Sequence, residues 1–402
     1  MSKLLSSFPR AFWVLMVLFF INRIGAALIW PFISVFVRDQ TGAPLSQIAA
    51  MLSIQSAASL LGTSFISALM DRFGRKRAML IGSGAYGVVL IAMSQATTLW
   101  QWALLIAVYG ITQPVFYIGT NAMTADLVEP DKRTDAYAIV RTVSNISIAI
   151  APVIGGVLIA QSRLYAYFGT AAINFLLTIP VIFFVQETLA RRTSDDQPTG
   201  AGFGAIIRDT RFLAFCVVFG LLEIGIALVF TLLAVYIKEN YGLIESEYGL
   251  LVSINATMVV LLQFGMTRLT KRYPPFVVLS IGALFYMAGL LGLGLSSQMA
   301  HFALAMVIVT IGELMVMPTG TAQVANMAPP DMRARYMGIF TLLFMVGAGI
   351  GPLVGGVLSD TFAPSAIWYG AATAALLAAV GFVLMPRLWQ KKKAVEVEMV
   401  EV

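Results

Sequence analysis

The chain has 402 residues, of which 59% are hydrophobic and only 11% are charged, and its formal net charge is +6. A soluble domain carries roughly 25% charged residues, so this composition excludes a water-soluble protein and indicates one embedded in the lipid bilayer. The single cysteine, Cys216, excludes an intramolecular disulfide, and the excess positive charge suits a membrane surface, so no nucleic-acid partner is expected.

Long apolar stretches recur along the whole chain. A helix needs about 20 apolar residues to cross a hydrocarbon core of roughly 30 Å. The stretches are too long for barrel strands and do not alternate with a period of two. Twelve spans are predicted, at residues 11–37, 45–70, 78–97, 99–125, 136–160, 164–186, 212–237, 246–267, 275–296, 299–325, 335–359 and 365–386. The sequence therefore predicts an all-α integral membrane protein with twelve transmembrane helices.

The basic residues fall mainly on one side of these spans. Of the 26 Lys and Arg residues, only Arg38, Arg163 and Lys238 lie in loops on one side and Arg23 and Arg141 within spans. The other basic residues lie on the side of the two termini. Loops rich in Lys and Arg stay in the cytoplasm, so both termini are predicted to be cytoplasmic, in a multi-pass protein of the cell inner membrane.

The chain repeats itself at an offset of 200 residues. The offset aligns Pro-Asp-x-Arg loops at 130–133 and 330–333, and it pairs Pro152, Gly155 and Gly156 with Pro352, Gly355 and Gly356. Two pseudo-symmetric six-helix bundles are predicted, at 1–190 and at 212–402 with a short cytoplasmic tail, joined by a cytoplasmic linker at 191–211. Substrate sites of repeated transporters lie near the middle of the membrane between the repeats.

A signature sequence follows the second span. Residues 67–77 read Ser-Ala-Leu-Met-Asp-Arg-Phe-Gly-Arg-Lys-Arg. This resembles the Gly-x-Leu-x-Asp-Arg-x-Gly-Arg-Lys signature of the major facilitator superfamily, with Ser67 in the first glycine position. The resemblance covers essentially the whole chain and implies the major facilitator fold, acting as a monomer. It also implies that Asp71, Arg75 and Asp126 form a network that closes the cytoplasmic side. The alternative is that the basic residues at 72–77 serve only as topology signals.

Two further segments resemble the drug:proton antiporter branch of that superfamily. Ala-Pro-Val-Ile-Gly-Gly at 151–156 resembles its Gly-Pro-x-x-Gly-Gly signature, and residues 347–356 carry a fuller copy. Small residues let helices approach closely, and proline permits a bend. The arginine that the branch carries in its fourth span is absent, because Ile106 occupies that position.

Four charged residues lie well inside the predicted spans, away from the span ends: Arg23, Arg141, Glu223 and Glu313. An ionised side chain at mid-membrane costs about 2.5–3.5 kcal/mol, so such residues face a wet cavity or each other. One interpretation is that Arg23 and Glu223, or Arg141 and Glu313, form permanent ion pairs. The other is that Glu223 and Glu313 exchange protons for substrate, with Arg23 as a modulator, since burial favours the neutral form of a carboxyl group and a nearby arginine the charged form.

The predicted function is secondary active transport, most simply proton-coupled efflux of lipophilic drugs or similar small molecules. Proton symport of a small polar metabolite, or a non-transporting membrane sensor on the same fold, is the alternative. No phosphate-binding glycine loop and no His/Cys cluster is present, so an enzyme, a cofactor and a metal are not expected. The residues predicted to contact substrate are Arg23, Trp30, Asn121, Arg141, Asn145, Phe230, Phe340 and Phe344.

Overall fold

The computed structural model describes residues 8–129, 132–188, 206, 208–329 and 332–400, leaving out the side chains of residues 64, 134, 333–335, 344, 345 and 387–400. The described part is helical, which is the fold that satisfies every backbone polar group inside lipid. Its α-helices are α1 (Arg10–Ile29), α2 (Ile33–Thr41), α3 (Leu45–Phe73), α4 (Arg75–Gln95), α5 (Leu99–Thr112), α6 (Val115–Leu127), α7 (Arg133–Gln161), α8 (Arg163–Phe184), α9 (Thr210–Thr231), α10 (Leu233–Tyr241), α11 (Glu245–Thr270), α12 (Pro275–Leu295), α13 (Met299–Met327), α14 (Arg333–Thr361) and α15 (Ala366–Val400).

Twelve of the helical segments in the described residues are long and apolar enough to cross a membrane. The predicted all-α membrane fold with twelve transmembrane helices is therefore confirmed. Two predicted spans are interrupted at prolines, which lack a backbone N–H. The first span changes to a 3-10 turn at Trp30–Phe32, around Pro31, and the fourth is divided into α5 and α6 at Pro114.

The chain divides into two compact units. Unit 1 comprises Met1–Gln197 and Leu233–Val260, and unit 2 comprises Pro198–Leu232 and Leu261–Val402. The predicted domain boundaries follow the repeat, whereas the units follow contacts, and α10 joins unit 1 because it packs against α2. The division into bundles at 1–190 and 212–402 stays a prediction, and residues 191–205 of the predicted linker lie outside the described residues.

Within unit 1, α1 packs against α6, α7 and α8, and α4 packs against α5, α6 and α8. Buried polar contacts join α1 to α8: the Asn22 Nδ2 donates to Asn174 Oδ1 at 3.1 Å, and the Thr170 hydroxyl donates to the Gly25 carbonyl at 3.2 Å. Polar groups in a membrane protein contribute to helix association in this way. These contacts hold the middle of α1 in a fixed orientation.

Within unit 2, α9 packs against α14 and α15, and α12 packs against α13 and α15. The two units repeat one glycine contact. A Cβ atom added at Gly155 would meet the Leu28 carbonyl oxygen of α1, and one added at Gly355 would meet the Leu228 side chain of α9. The 200-residue repeat therefore corresponds to equivalent packing of the first and fifth spans in each unit.

Candidate transport site

Two carboxyl groups of unit 2 lie inside membrane-spanning helices. Glu223, on α9, is 4% exposed, and its Oε1 has no hydrogen-bond partner among the described residues. Glu313, on α13, is half-buried and interacts electrostatically with Glu223. The buried hydroxyl group of Tyr286 interacts electrostatically with both. Glu223, Glu313 and Tyr286 therefore form one polar cluster within unit 2.

Glycines place other helices against this site. A Cβ atom at Gly347 would lie 2.7 Å from the Glu223 Cβ, so α14 approaches α9 at that residue. A Cβ atom at Gly312 would lie 2.8 Å from the Gly282 carbonyl oxygen, so α13 approaches α12 beside Glu313. Because the interior is closely packed, side chains at these glycines would displace the carboxyl groups.

The corresponding site of unit 1 carries an arginine. The Arg23 guanidinium carbon lies 5.9 Å from the centroid of the Tyr117 ring. Arg23 also interacts electrostatically with Tyr86 and Tyr109, whose ring centroids are 5.5 Å apart. Its Nε is buried without a hydrogen-bond partner, and it makes no ion pair among the described residues. Arg23 therefore has no acidic partner within the described part of unit 1, and the permanent ion pair with Glu223 that was one interpretation of the sequence stays a prediction.

The two sites are related residue by residue through the 200-residue offset. Arg23 corresponds to Glu223 and Tyr86 to Tyr286, and the position of Glu313 is occupied in unit 1 by the half-buried Gln113. The tyrosine is common to both sites, whereas the charges differ in sign. Among the described residues, no group of three or more His, Cys, Asp or Glu side chains could hold a metal ion.

Three more predicted substrate residues lie on α6 and α7 of unit 1. Asn121 is half-buried, and its Nδ2 donates to the Tyr117 carbonyl at 3.0 Å. Asn145 is half-buried, and Arg141 is exposed without an ion pair among the described residues. Arg141 and Asn145 are four residues apart, a spacing that places both on one helix face.

The predicted aromatic residues have different environments. Trp30 and Phe230 are half-buried. Phe340 is 2% exposed, and its ring centroid lies 4.8 Å from that of Phe219 in the aromatic core of unit 2. This position favours a packing role for Phe340, and its contact with substrate stays a prediction. The side chain of Phe344 lies outside the described part of the structure.

An inner ion-pair cluster, Arg75 with Asp126, Glu187 and Thr188, lies in unit 1 at the end predicted to be cytoplasmic. The predicted contact of Arg75 with Asp126 is present, and Arg75 also donates to the Ala122 carbonyl at 2.6 Å. The Thr188 hydroxyl donates to Asp126 at 2.7 Å. By contrast, Asp71 is exposed and makes no hydrogen bond or ion pair among the described residues. The gating role of Asp71, Arg75 and Asp126 stays a prediction.

Glu187 caps the N-terminus of α4. Its carboxylate accepts hydrogen bonds from the backbone N–H groups of Arg75 and Lys76, at 2.9 and 3.1 Å, at the beginning of α4. A carboxylate at a helix N-terminus is stabilised by these free N–H groups. Gly74 makes the approach possible, because its φ is 97° and a side chain there would overlap the Glu187 carboxylate.

An outer ion-pair cluster lies at the other end of unit 1 and comprises Arg38, Asp39, Lys238, Glu239 and Glu245. Arg38 pairs with Glu239, and Lys238 pairs with Asp39 at 2.6 Å and with Glu245 at 2.8 Å. Partial burial lowers the pKa of Lys238, but hydrogen bonds to Asp39 and Glu245 outweigh that effect and raise the pKa above its usual value. The pairs join α2 to α10, and they join α10 to the beginning of α11.

Sequence reasoning missed several of these residues. Arg38–Asp39 and Lys238–Glu239 are themselves related by the 200-residue offset, as are Tyr86 and Tyr286. Applying the repeat to polar residues as well as to loops and glycines would have identified both sets. The position of Glu187 was harder to predict, because no sequence pattern links it to residue 75 and only the path of the chain brings the two together.

Comparisons with known proteins agree with this architecture. A family model described as the Major Facilitator Superfamily matches residues 15–224 and 215–398. A Na(+), Li(+), K(+)/H(+) antiporter of Planococcus maritimus is 25% identical over 387 residues, covering 88% of this chain and 88% of that protein. Multidrug resistance protein MdtG of Proteus mirabilis is 27% identical over 369 residues, covering 87% of this chain and 89% of that protein.

Among solved structures, the crystal structure of the nucleoside transporter NupG has a TM-score of 0.80 at 15% identity, covering 94% of this chain and 99% of that one. This similarity is in fold. The family match extends over nearly the whole chain, and the relatives are transporters rather than enzymes. The chain therefore belongs to the Major Facilitator Superfamily and is a multi-pass membrane transporter.

Proposed function

We propose that this transporter is a proton-coupled antiporter that exports lipophilic small molecules by alternating access, as a monomer in the cell inner membrane. Glu223 and Glu313 are the proton-binding groups. The observation that carries the proposal is their interaction inside the membrane-spanning part of unit 2, where the Glu223 Oε1 has no hydrogen-bond partner among the described residues. A buried carboxyl group without a partner is costly when ionised, so proton exchange gives a reason for its presence.

Among the relatives, one name supports proton exchange and two support drug export. They include multidrug resistance proteins of Proteus mirabilis and Klebsiella pneumoniae and the cation/proton antiporter of Planococcus maritimus. The distribution of Lys and Arg supports cytoplasmic termini. Arg75 and Asp126 are then the inner gate, with Asp71 as the acceptor that becomes engaged when the cytoplasmic side closes.

Substrate is proposed to contact Trp30, Asn121, Arg141, Asn145, Phe230, Phe340 and Phe344, together with Arg23. Aromatic side chains give large apolar contact areas, and a few polar groups fix the orientation of the ligand. Arg23 has two proposed roles. Its positive charge attracts an anionic group of the substrate, and it modulates the protonation of the two carboxyl groups.

The test uses purified protein in sealed proteoliposomes with an imposed pH gradient and a lipophilic compound selected by a resistance screen in overproducing cells. Glu313→Gln keeps the shape of the side chain and cannot release a proton, so driven transport should fall to the level of protein-free vesicles while binding remains measurable. Glu129→Gln, in an exposed loop, is the matched control and should transport normally. Undiminished driven transport by Glu313→Gln would refute the proposal.

A second candidate is exchange of Na⁺ or K⁺ for protons by the same carboxyl groups. The relative from Planococcus maritimus favours it, and carboxylate oxygens are suitable ligands for hard cations. Vesicles loaded with a pH indicator distinguish the two. Proton movement on addition of Na⁺ or K⁺ alone, abolished in Glu313→Gln, would favour cation exchange.

A further inference from the structure

Arg23 is a charged group in the interior of a membrane-spanning helix, and no acidic side chain in the described part of unit 1 pairs with it. Its neighbours by electrostatic interaction are Tyr117, Tyr109 and Tyr86, none of which carries a carboxyl group. Its Nε is buried without a hydrogen-bond partner. A buried charge without a partner is unfavourable, so an anion supplied from outside unit 1 would be stabilised strongly here.

The surroundings of Arg23 leave room for such an anion. The Tyr117 side chain beside it is 44% exposed, so one part of the ring is free to contact a ligand. The other part packs against Phe19, with ring centroids 5.9 Å apart. An arginine beside a partly exposed aromatic ring suits a molecule that has both an anionic group and an apolar ring system.

A polar stripe leads from this position toward the end predicted to be cytoplasmic. The Tyr137 hydroxyl donates to the Asn121 carbonyl at 3.2 Å, and Asn121 donates to the Tyr117 carbonyl. Arg141 follows Tyr137 by one turn of α7 and is exposed. Arg141 lies one turn deeper than Tyr137, so the stripe includes a second arginine, which has no ion pair within the described part of unit 1.

The two arginines lie at different depths. The Ser147 hydroxyl of α7 contacts the Phe20 carbonyl of α1 at 3.4 Å, which fixes the register of the two helices. With 1.5 Å of rise per residue, Arg23 and Arg141 are separated by roughly 14 Å along the bundle. Arg141 therefore lies nearer the predicted cytoplasmic end than Arg23 does, in a position to attract an anion before Arg23 binds it.

We propose that Arg23 binds the carboxylate of the transported molecule, and that the substrates are amphiphilic aromatic carboxylates rather than lipophilic cations. This inference rests on the proposed transport function and names its substrate class. Unit 1 supplies the substrate subsite, with Tyr117 against the apolar part of the molecule. Arg141 and the polar stripe guide its anionic end.

Three fluorescent probes of similar size test this directly: pyrenebutyrate, pyrenebutanol and pyrenebutylamine. Binding is measured by energy transfer from protein tryptophan in nanodiscs of phosphatidylcholine, so that no anionic lipid headgroup competes. The wild-type protein should bind the carboxylate about 10-fold or more tightly than the alcohol, since a hydrogen bond to a charged group contributes about 1.5–3 kcal/mol. Equal affinity for the carboxylate and the alcohol would overturn the proposal.

Arg23→Gln should raise the dissociation constant of pyrenebutyrate roughly 10- to 100-fold and leave that of pyrenebutylamine unchanged or lower. Arg10→Gln, on the exposed beginning of the same helix, is the matched control. Arg23→Lys keeps the charge and should lose less affinity, which preserves the test if the glutamine variant does not fold. An unchanged pyrenebutyrate affinity in Arg23→Gln and Arg23→Lys, or an equal loss for all three probes, would contradict the assignment.

Glu313→Gln separates this inference from the transport mechanism. It should still bind pyrenebutyrate, because the carboxylate subsite lies in unit 1. If driven transport of another compound depends on Glu313 while no probe depends on Arg23, the substrate assignment fails and the proton coupling stands. If Glu313→Gln transports normally while Arg23→Gln loses affinity for pyrenebutyrate, the proton coupling by Glu313 fails and the substrate assignment stands.

Repeating the titration with added phosphatidylglycerol shows whether the anion bound by Arg23 is a lipid headgroup. Displacement of pyrenebutyrate at equimolar lipid would overturn the proposal.

Discussion

The charge sites of unit 1 and unit 2 occupy the same positions of a duplicated sequence, but the charges differ in sign. Unit 1 places Arg23 near Tyr86, and unit 2 places Glu223 near Tyr286. The glycine contacts that hold the first span against the fifth are kept in both. Packing therefore constrains the small residues in both repeats, whereas the charged position differs between them. In our account unit 2 binds protons and unit 1 binds the substrate anion.

The largest effect is expected from giving unit 2 the residue of unit 1. Glu223→Arg removes a proton-binding group and places a cation at a buried position, at a cost of about 2.5–3.5 kcal/mol. Proton-driven transport in proteoliposomes should fall to the level of protein-free vesicles. Glu129→Arg, on an exposed loop, should remain active. Near-normal driven transport by Glu223→Arg would mean that the sign of this charge has no function.

The reverse exchange gives unit 1 the acid of unit 2. Gln113→Glu places a carboxylate at the position equivalent to Glu313, where it would compete with the substrate for Arg23. The dissociation constant of pyrenebutyrate should rise about 10-fold, measured by energy transfer in nanodiscs. Gln95→Glu, at the exposed end of α4, is the control. Unchanged binding in Gln113→Glu would show that Arg23 and residue 113 do not share a site.

The shared packing can be separated from the charges. Gly347→Val places a side chain against the Glu223 Cβ and backbone, whereas nothing lies within 4 Å of a Cβ atom at Gly338 on the same helix. Overpacking of this kind costs about 1–3 kcal/mol, so the melting temperature in detergent should fall for Gly347→Val and much less for Gly338→Val. Equal melting temperatures of the two variants would contradict the close approach of α14 to α9.

The smallest effect is expected from the outer ion-pair cluster, where residues of the two repeats pair reciprocally within unit 1. Arg38→Glu and Glu239→Arg should each lower the melting temperature, and the double variant should restore it. The coupling is about 1 kcal/mol or less because the pair is partly exposed. Additive losses in the double variant would show that the two side chains do not interact.

The pH dependence of the same cluster follows from Lys238. Its pKa is raised above 10.5, so its ion pairs are formed at neutral pH and their contribution is lost as the pH rises through the raised value. Lys238→Gln should remove this part of the stability loss at alkaline pH. An identical pH profile of melting temperature in both proteins would contradict it.

Much of the fold could be predicted from the sequence because lipid imposes long apolar helices, and the twelve spans were identified on that basis. The contact of Arg75 with Asp126 was also predicted, since the signature segment and the end of the fourth span lie at the same predicted end of the bundle. The capping of α4 by Glu187 was not, because it requires a carboxylate 112 positions from the Arg75 N–H to return to the same end. The outer cluster joins side chains about 200 positions apart, and only three-dimensional packing shows that Arg38 meets Glu239 rather than Asp39.

The surroundings of Arg23 show a similar limit. Its position within a span was evident from the sequence, and so was the alternative that Glu223 neutralises it. Helical periodicity alone could not decide which side chains surround the guanidinium group. The structure places tyrosines of unit 1 there, and this environment is the basis on which we propose that Arg23 binds a ligand.

The most direct test of proton exchange in unit 2 is the number of protons released when substrate binds. A transported compound is added to purified protein in weakly buffered detergent solution, and the pH change is recorded with an indicator dye. The account predicts measurable proton release by the wild-type protein and none by the Glu223→Gln/Glu313→Gln double variant at equal substrate occupancy. Equal release by both proteins, or no release by the wild type, would contradict it.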